Sequence, residues 1–207
     1  SGPTTTALDI FVTKLSADGS SIIYSTYLGG SDRELGPNIT INNTGNAYVS
    51  ALTLSSNFPT TTGVLGETPF GVGGTLDDFV IVKLGVNGDT LVYSTYLGGS
   101  GNDEPFGITI DAIGNVYLTG HSNSSNYPTT QGAFQTTKSG IFDAVFTKLN
   151  SNATAILYST FIGGNNFDLS GGDIALDTSG NIYMAGRTLS SNFPTTVGAF
   201  QTSRIGS

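Results

Sequence analysis

The chain contains no cysteine, which excludes disulfides and thiolate metal sites. It has one histidine, His121. With no second histidine beside it, a histidine metal cluster lacks its residues. With one histidine and no G-x-S-x-G elbow, nothing in the sequence points to a Ser-His-Asp triad. Charge is scarce: 11% of residues are charged, and seven Lys and Arg stand against fifteen Asp and Glu for a net charge of −8. Such a chain lacks the basic footprint that nucleic acid requires, and anionic membranes repel it weakly. No apolar run approaches the roughly 18 residues of a membrane-spanning helix. Hydrophobic residues make up 37%, enough for sheet cores. The surface is left to Ser, Thr, Asn and Gly.

What is present is repetition. Tyr24-Ser25-Thr26-Tyr27-Leu28-Gly29-Gly30 returns as Tyr93-Ser94-Thr95-Tyr96-Leu97-Gly98-Gly99 and as Tyr158-Ser159-Thr160-Phe161-Ile162-Gly163-Gly164. Everything between the copies repeats too, so the unit is read before any single residue. Each copy of the motif ends a strand (d) that follows a β-favouring run (c), such as Asp78-Phe79-Val80-Ile81-Val82-Lys83-Leu84. A variable polar loop leads to a second hairpin (a and b). Its clearest form is Ile108-Thr109-Ile110-Asp111-Ala112-Ile113-Gly114-Asn115-Val116-Tyr117-Leu118. There the Asp bonds backbone N–H groups further on and the Gly takes the left-handed position. A long loop containing Ser-Ser-Asn, then Phe or Tyr, then Pro-Thr-Thr leads on to the next c strand. It is longest in the first unit, through an insertion at residues 67–76.

Four short antiparallel strands per unit, without a helical period, predict an all-β chain of β-propeller-type blades in tandem. The order gives two complete blades, at residues 31–99 and 100–164. A c–d half-blade lies at residues 1–30, with residues 1–8 as loop. A complementary a–b half-blade with a trailing loop lies at residues 165–207. Ser1-Gly2-Pro3 reads as the start of a mature or excised piece.

These motifs resemble the bacterial β-propeller repeat family, called SBBP repeats. They are D-x-x-V-x-K-L at Asp9, L-x-Y-S-T-Y-L-G-G at Leu91, G-I-x-x-D-x-x-G-N-x-Y at Gly107 and S-N-F-P-T-T-x-G-A-F-Q at Ser191. The resemblance covers nearly the whole chain. It implies a propeller fold in exported or cell-surface proteins of bacteria and some archaea, and supplies no catalytic residues. The chain departs from the pattern at Asn38, where the other units have Gly107 or Asp173.

Two organisations stay open: a section of a longer propeller, or half-blades completed by copies of the chain, as a ring or a filament. The expected role is a non-catalytic structural or adhesive scaffold, extracellular or at the cell surface. The alternatives are a carbohydrate-binding module and a glycan-active hydrolase.

The d–a and b–c loops are expected on one face, where a ligand would bind. Asn57 and Phe58, Asn126 and Tyr127, Asn192 and Phe193 could stack on a sugar, or the rings could anchor the long loop by burial. Asp103 and Glu104 could hold Ca²⁺, or belong to a solvated acidic loop whose carboxylates cap backbone N–H groups. The tyrosine pairs of the repeated motif are expected to pack between blades, and His121 to be incidental. Four Asn-x-Ser/Thr acceptor patterns, at Asn38, Asn42, Asn123 and Asn152, are frequent by chance in so Asn- and Thr-rich a chain.

Overall fold

The computed structural model describes residues 7–71 and 77–205. The expected loop at residues 1–6, residues 72–76 of the insertion and the last two residues lie outside the described residues. Within them the chain is all strand and turn. Strands β1 (Ile10–Leu15) and β2 (Ile22–Leu28) form a two-stranded sheet. Strands β3 (Glu34–Ile41), β4 (Ala47–Thr53), β5 (Asp78–Leu84) and β6 (Leu91–Leu97) form a four-stranded sheet in that order. So do β7 (Asp103–Ile110), β8 (Val116–Ser122), β9 (Asp143–Leu149) and β10 (Ile156–Ile162). Strands β11 (Asp168–Leu176) and β12 (Ile182–Thr188) pair alone. All neighbours are antiparallel. This is the expected sequence of half-blade, two blades and half-blade.

The a–b turns form as the sequence predicts. Asp111 Oδ1 accepts the N–H groups of Ile113 and Asn115 at 3.1 and 2.9 Å. Gly114 sits at φ +85°, where a side chain would be strained. Asn42 and Asp177 build the same turn.

The sheets stack face to face through period-two alternation. Strand β5 shows the logic. Val80 and Val82 enter a core with Ile10, Val12, Val49 and Tyr96. Phe79 and Ile81 enter another with Tyr48, Leu118, Val145 and Phe161. Both faces of β5 are buried, so the strand reads as a nearly continuous apolar run. Each such side chain contributes roughly 1.5–3 kcal/mol by leaving water. A third core beside β11 and β12 holds only Tyr117, Phe146 and Ile174 as fully buried members.

In the complete blades the long b–c loop covers the outer edge of strand d. Thr61 N–H donates to Ser94 O at 3.1 Å and Tyr96 N–H to Gly66 O at 2.9 Å. In the next blade Thr130 N–H donates to Ser159 O at 3.0 Å and Phe161 N–H to Gln135 O at 2.9 Å. An edge that would otherwise offer free backbone groups is thereby closed.

The expected packing of the tyrosine pairs holds where the blade is whole. Tyr93 packs against Tyr48 in one core, with ring centroids 6.4 Å apart, and Tyr96 packs in the other. It fails for Tyr27, which is 78% exposed, because no b–c loop covers β2 among the described residues.

Candidate functional site

The d–a and b–c loops meet on one face, as expected, and hydrogen bonds join them. At each blade-to-blade connection the b–c loop of the entered blade grips the Gly-Gly turn. Asn57, Asn126 and Asn192 each accept, through Oδ1, the N–H of the residue after that turn, all at 2.8 Å. The hydroxyls of Ser55, Ser124 and Ser190 accept the next backbone N–H group at 2.8–2.9 Å. These asparagines and serines act as staples.

A carboxylate lies beneath each staple. Asp103 Oδ2 accepts Gly99 N–H at 2.6 Å and the Ser124 hydroxyl at 2.8 Å. Asp168 repeats this with Gly164 and Ser190, and Thr188 donates to its other oxygen. Glu34 takes Gly30 N–H at 3.3 Å and the Thr53 hydroxyl at 2.8 Å. All three are buried. Burial pushes the Asp103 carboxyl up to about 7, against the opposing pull of its hydrogen bonds to Gly99 and Ser124. Burial also raises Asp78.

The glycines are required by close approach. A Cβ on Gly98 would lie 2.2 Å from Asp78 Oδ1 and 2.9 Å from Asp103 Oδ2. One on Gly99 would lie 2.6 Å from Ser124 Cβ and 2.8 Å from Asn126 Oδ1. The Gly-Gly, Ser-Ser-Asn and strand-initial Asp motifs, far apart in sequence, are therefore parts of one joint.

Several expected site residues take different places. Asp103 and Glu104 do not converge on a cation: successive strand residues point to opposite faces. Asp103 turns into the staple, while Glu104 lies 3.7 Å from His121 Nε2. The acidic loop is not solvated at Glu34, Asp103 or Asp168, although these groups do cap backbone N–H groups. Among the described residues no three or more His, Cys, Asp or Glu side chains are gathered to hold a metal ion.

The rings of Phe58 and Tyr127 are each 3% exposed and offer no face to a sugar. Phe58 N–H donates to Tyr96 Oη at 2.9 Å, and that hydroxyl donates to Ser55 O at 2.8 Å. Tyr127 Oη shares a hydrogen bond with Thr147 at 3.0 Å. These two rings anchor the loop by burial. Phe193 remains half-buried beside the unpaired half-blade.

His121 is enclosed, stacked on Phe106 with centroids 5.0 Å apart and edge-on to Phe142 at 5.1 Å. Burial, then the Arg187 charge, pulls its pKa down to about 4. It holds two aromatic side chains together between strands, a role its single occurrence in the sequence did not reveal. The staple carboxylates were also missed as a set. Their signal was an acid four residues after the second glycine in all three copies.

A search of curated proteins finds no match to the chain. A family model described as a β-propeller repeat (SBBP) matches at residues 23–59, 92–128 and 157–194. Each matched segment begins in a d strand, crosses the stapled Gly-Gly turn, runs through the a–b hairpin and ends at or next to the proline after the anchoring ring. The repeat in sequence is thus centred on the joint between blades. Together the three segments take up more than half of the sequence, and the chain belongs to the β-propeller repeat family.

Proposed function

We propose that this β-propeller is a non-catalytic scaffold with a structural or adhesive role, outside the cell or at its surface. The observation that carries the reading is the use made of the loop-face polar groups. The carboxylates, serines and asparagines that could have formed a reactive centre are spent on backbone N–H groups at the joints. Glu34, Asp103 and Asp168 are buried beneath the Gly-Gly turns, out of reach of a substrate or a solvated cation. The Ser-, Thr- and Asn-rich, sparsely charged surface and the absence of cysteine suit an exported chain.

Incubation of the chain with a panel of oligosaccharides and glycosides tests the reading directly. The expected result is no turnover, and unchanged adhesion to polysaccharide-coated surfaces when Asp103 and Glu104 are replaced by Asn and Gln. Hydrolysis by the wild-type chain that disappears in the double variant would overturn it.

A further inference from the structure

The turns between strands c and d form an internal comparison. Ser16-Ala17-Asp18-Gly19, Gly85-Val86-Asn87-Gly88 and Asn150-Ser151-Asn152-Ala153 hold equivalent places after β1, β5 and β9. Their backbones are alike. The fourth residue lies at φ +72°, +70° and +55° in turn. Its N–H donates to the carbonyl of the first residue at 2.9, 2.9 and 3.0 Å. What differs is the chemistry of the third and fourth residues: Asp-Gly, Asn-Gly and Asn-Ala.

We propose that Asn87 is a site of spontaneous deamidation, converted with time to aspartate and isoaspartate, while Asn152 in the same turn persists. The step needs water and no enzyme. The Gly88 backbone nitrogen gives up its proton to hydroxide and attacks Asn87 Cγ. The N–Cγ bond forms, the Cγ–Nδ2 bond breaks, and ammonia leaves with a proton taken from water. A second water then opens the five-membered imide. Addition at Cγ leaves aspartate. Addition at the main-chain carbonyl leaves isoaspartate, whose backbone runs through Cβ and Cγ. The inference goes beyond the scaffold reading and does not rest on it.

Access and sterics single out this residue. Asn87 is exposed, and a surface turn of this kind opens at little cost, freeing the Gly88 N–H from Gly85. Asn87-Gly88 is the one Asn-Gly pair in the sequence. With no Cβ beside it, the glycine nitrogen approaches Cγ unhindered, and its backbone tolerates the rotation that attack requires. At Asn152 the Ala153 methyl stands in the way, and Asn152 Oδ1 also accepts the Thr154 hydroxyl at 3.0 Å. The two Asn-Ser pairs are held in place. Asn123 Oδ1 accepts Asn102 N–H at 2.7 Å, and Asn150 Oδ1 accepts Thr154 and Ala155 N–H at 2.9 and 3.1 Å.

The first turn shows how the fold receives an acid at this place. Asp18 Oδ1 accepts the Ser16 hydroxyl at 2.6 Å and Ser20 N–H at 3.1 Å, and Oδ2 accepts the Ser20 hydroxyl at 2.9 Å. An aspartate at 87 therefore fits the turn, although Gly85 and Asp89 stand where Ser16 and Ser20 would bond it. Isoaspartate does not fit. The Tyr24 ring lies so close to Gly88 that a Cβ there would be 2.4 Å from Tyr24 Cδ2. An extra main-chain carbon before Gly88 moves it against or away from that ring. Tyr24 packs on the core that holds Val80 and Val82, so the isoaspartate form loosens a contact between successive units.

The test is peptide mapping by mass spectrometry of the full chain held in mildly alkaline buffer, with isoaspartate counted by enzymatic methylation. The expected result is the mass gain of OH replacing NH2 in the peptide that carries Asn87, faster as pH rises. The peptide that carries Asn152 should stay unchanged over the same interval. Gly88→Ala should slow the reaction at least roughly tenfold. Because that methyl also meets Tyr24, Ala153→Gly supplies the converse, and should bring Asn152 to within roughly threefold of the Asn87 rate. Asn87 left intact over an interval in which the urea-unfolded chain is modified there would overturn the proposal. Equal rates at Asn87 and Asn152 in the wild-type chain would do the same.

Discussion

Strands β8 and β12 hold the same position in successive units and have similar side chains, VYLTGHS and IYMAGRT. Every residue of β8 is buried and no residue of β12 is. The same contrast separates Tyr96, 1% exposed, from Tyr27, 78% exposed. Sequence alone therefore does not confer burial on strand b. It becomes a central strand only when a c strand lies beside it and a d strand, with its covering loop, lies beyond. The blade is the unit of cooperation, and its halves carry the same apolar pattern without the same stabilisation.

Paired substitutions at equivalent positions separate the two environments. The largest effect is expected from Leu118→Ala, which empties a fully buried site and should cost about 2–5 kcal/mol. Met184→Ala, at the equivalent half-buried position, should cost less than about 1 kcal/mol in dilute chain. Urea unfolding of both variants gives the difference, and equal losses would break the comparison.

Gly98→Ala comes next. Its methyl would meet Asp78 and Asp103, both buried, so about 1–3 kcal/mol is expected to be lost. Gly29→Ala meets the Asp9 carboxylate at 2.1 Å and, as at Gly98, a buried carboxylate oxygen, that of Glu34, at 2.9 Å. Asp9 is exposed and free to swing aside, so a much smaller shift in Tm is expected.

The Asp103 carboxyl gives a pH signature. Its pKa in the folded chain is about 7 against an ordinary 3.8. The folded state therefore binds the proton more tightly, and the stability this confers is complete below about 4 and lost as pH rises towards 7. The slope is at most about 1.4 kcal/mol per pH unit. His121, held down near 4 from 6.5, works in the opposite sense, its contribution growing as pH rises between those values. Comparing wild type with Asp103→Asn at pH 5 and pH 7 removes the histidine background. The variant should gain relative to wild type as pH rises, and a constant difference would refute the assignment.

The smallest effect is expected at Ala153, a fully buried residue at φ +55° where the equivalent turns have Gly19 and Gly88. Ala153→Gly relieves a left-handed backbone of about 1 kcal/mol and removes a buried methyl of about 0.8 kcal/mol. Calorimetry should find the two within about 0.5 kcal/mol of cancelling.

Much of the fold was legible because repetition supplied three independent readings of each turn and strand. The Asp111 turn, the alternation in β5 and the order of the strands all follow from local patterns. The joint was not legible, because its parts are separated along the chain. Gly99, Asp103, Ser124 and Asn126 look like a strand end, an acidic loop and a polar loop until the backbone brings them within hydrogen-bonding distance. Phe58 and Tyr127 were ambiguous for a related reason. An aromatic before proline can face solvent or core, and the partner that decides, Tyr96 or Thr147, lies on another strand.

The staples also set an order of events during synthesis. The Gly-Gly turn that ends one blade is first held by Asp103, and its staple closes when Asn126, 26 residues beyond Ser100, becomes available. Each arriving hairpin thus locks the blade already made. A chain emerging from the ribosome at about 5–20 residues per second would complete each lock within seconds of making the turn it secures, leaving one loose end at a time.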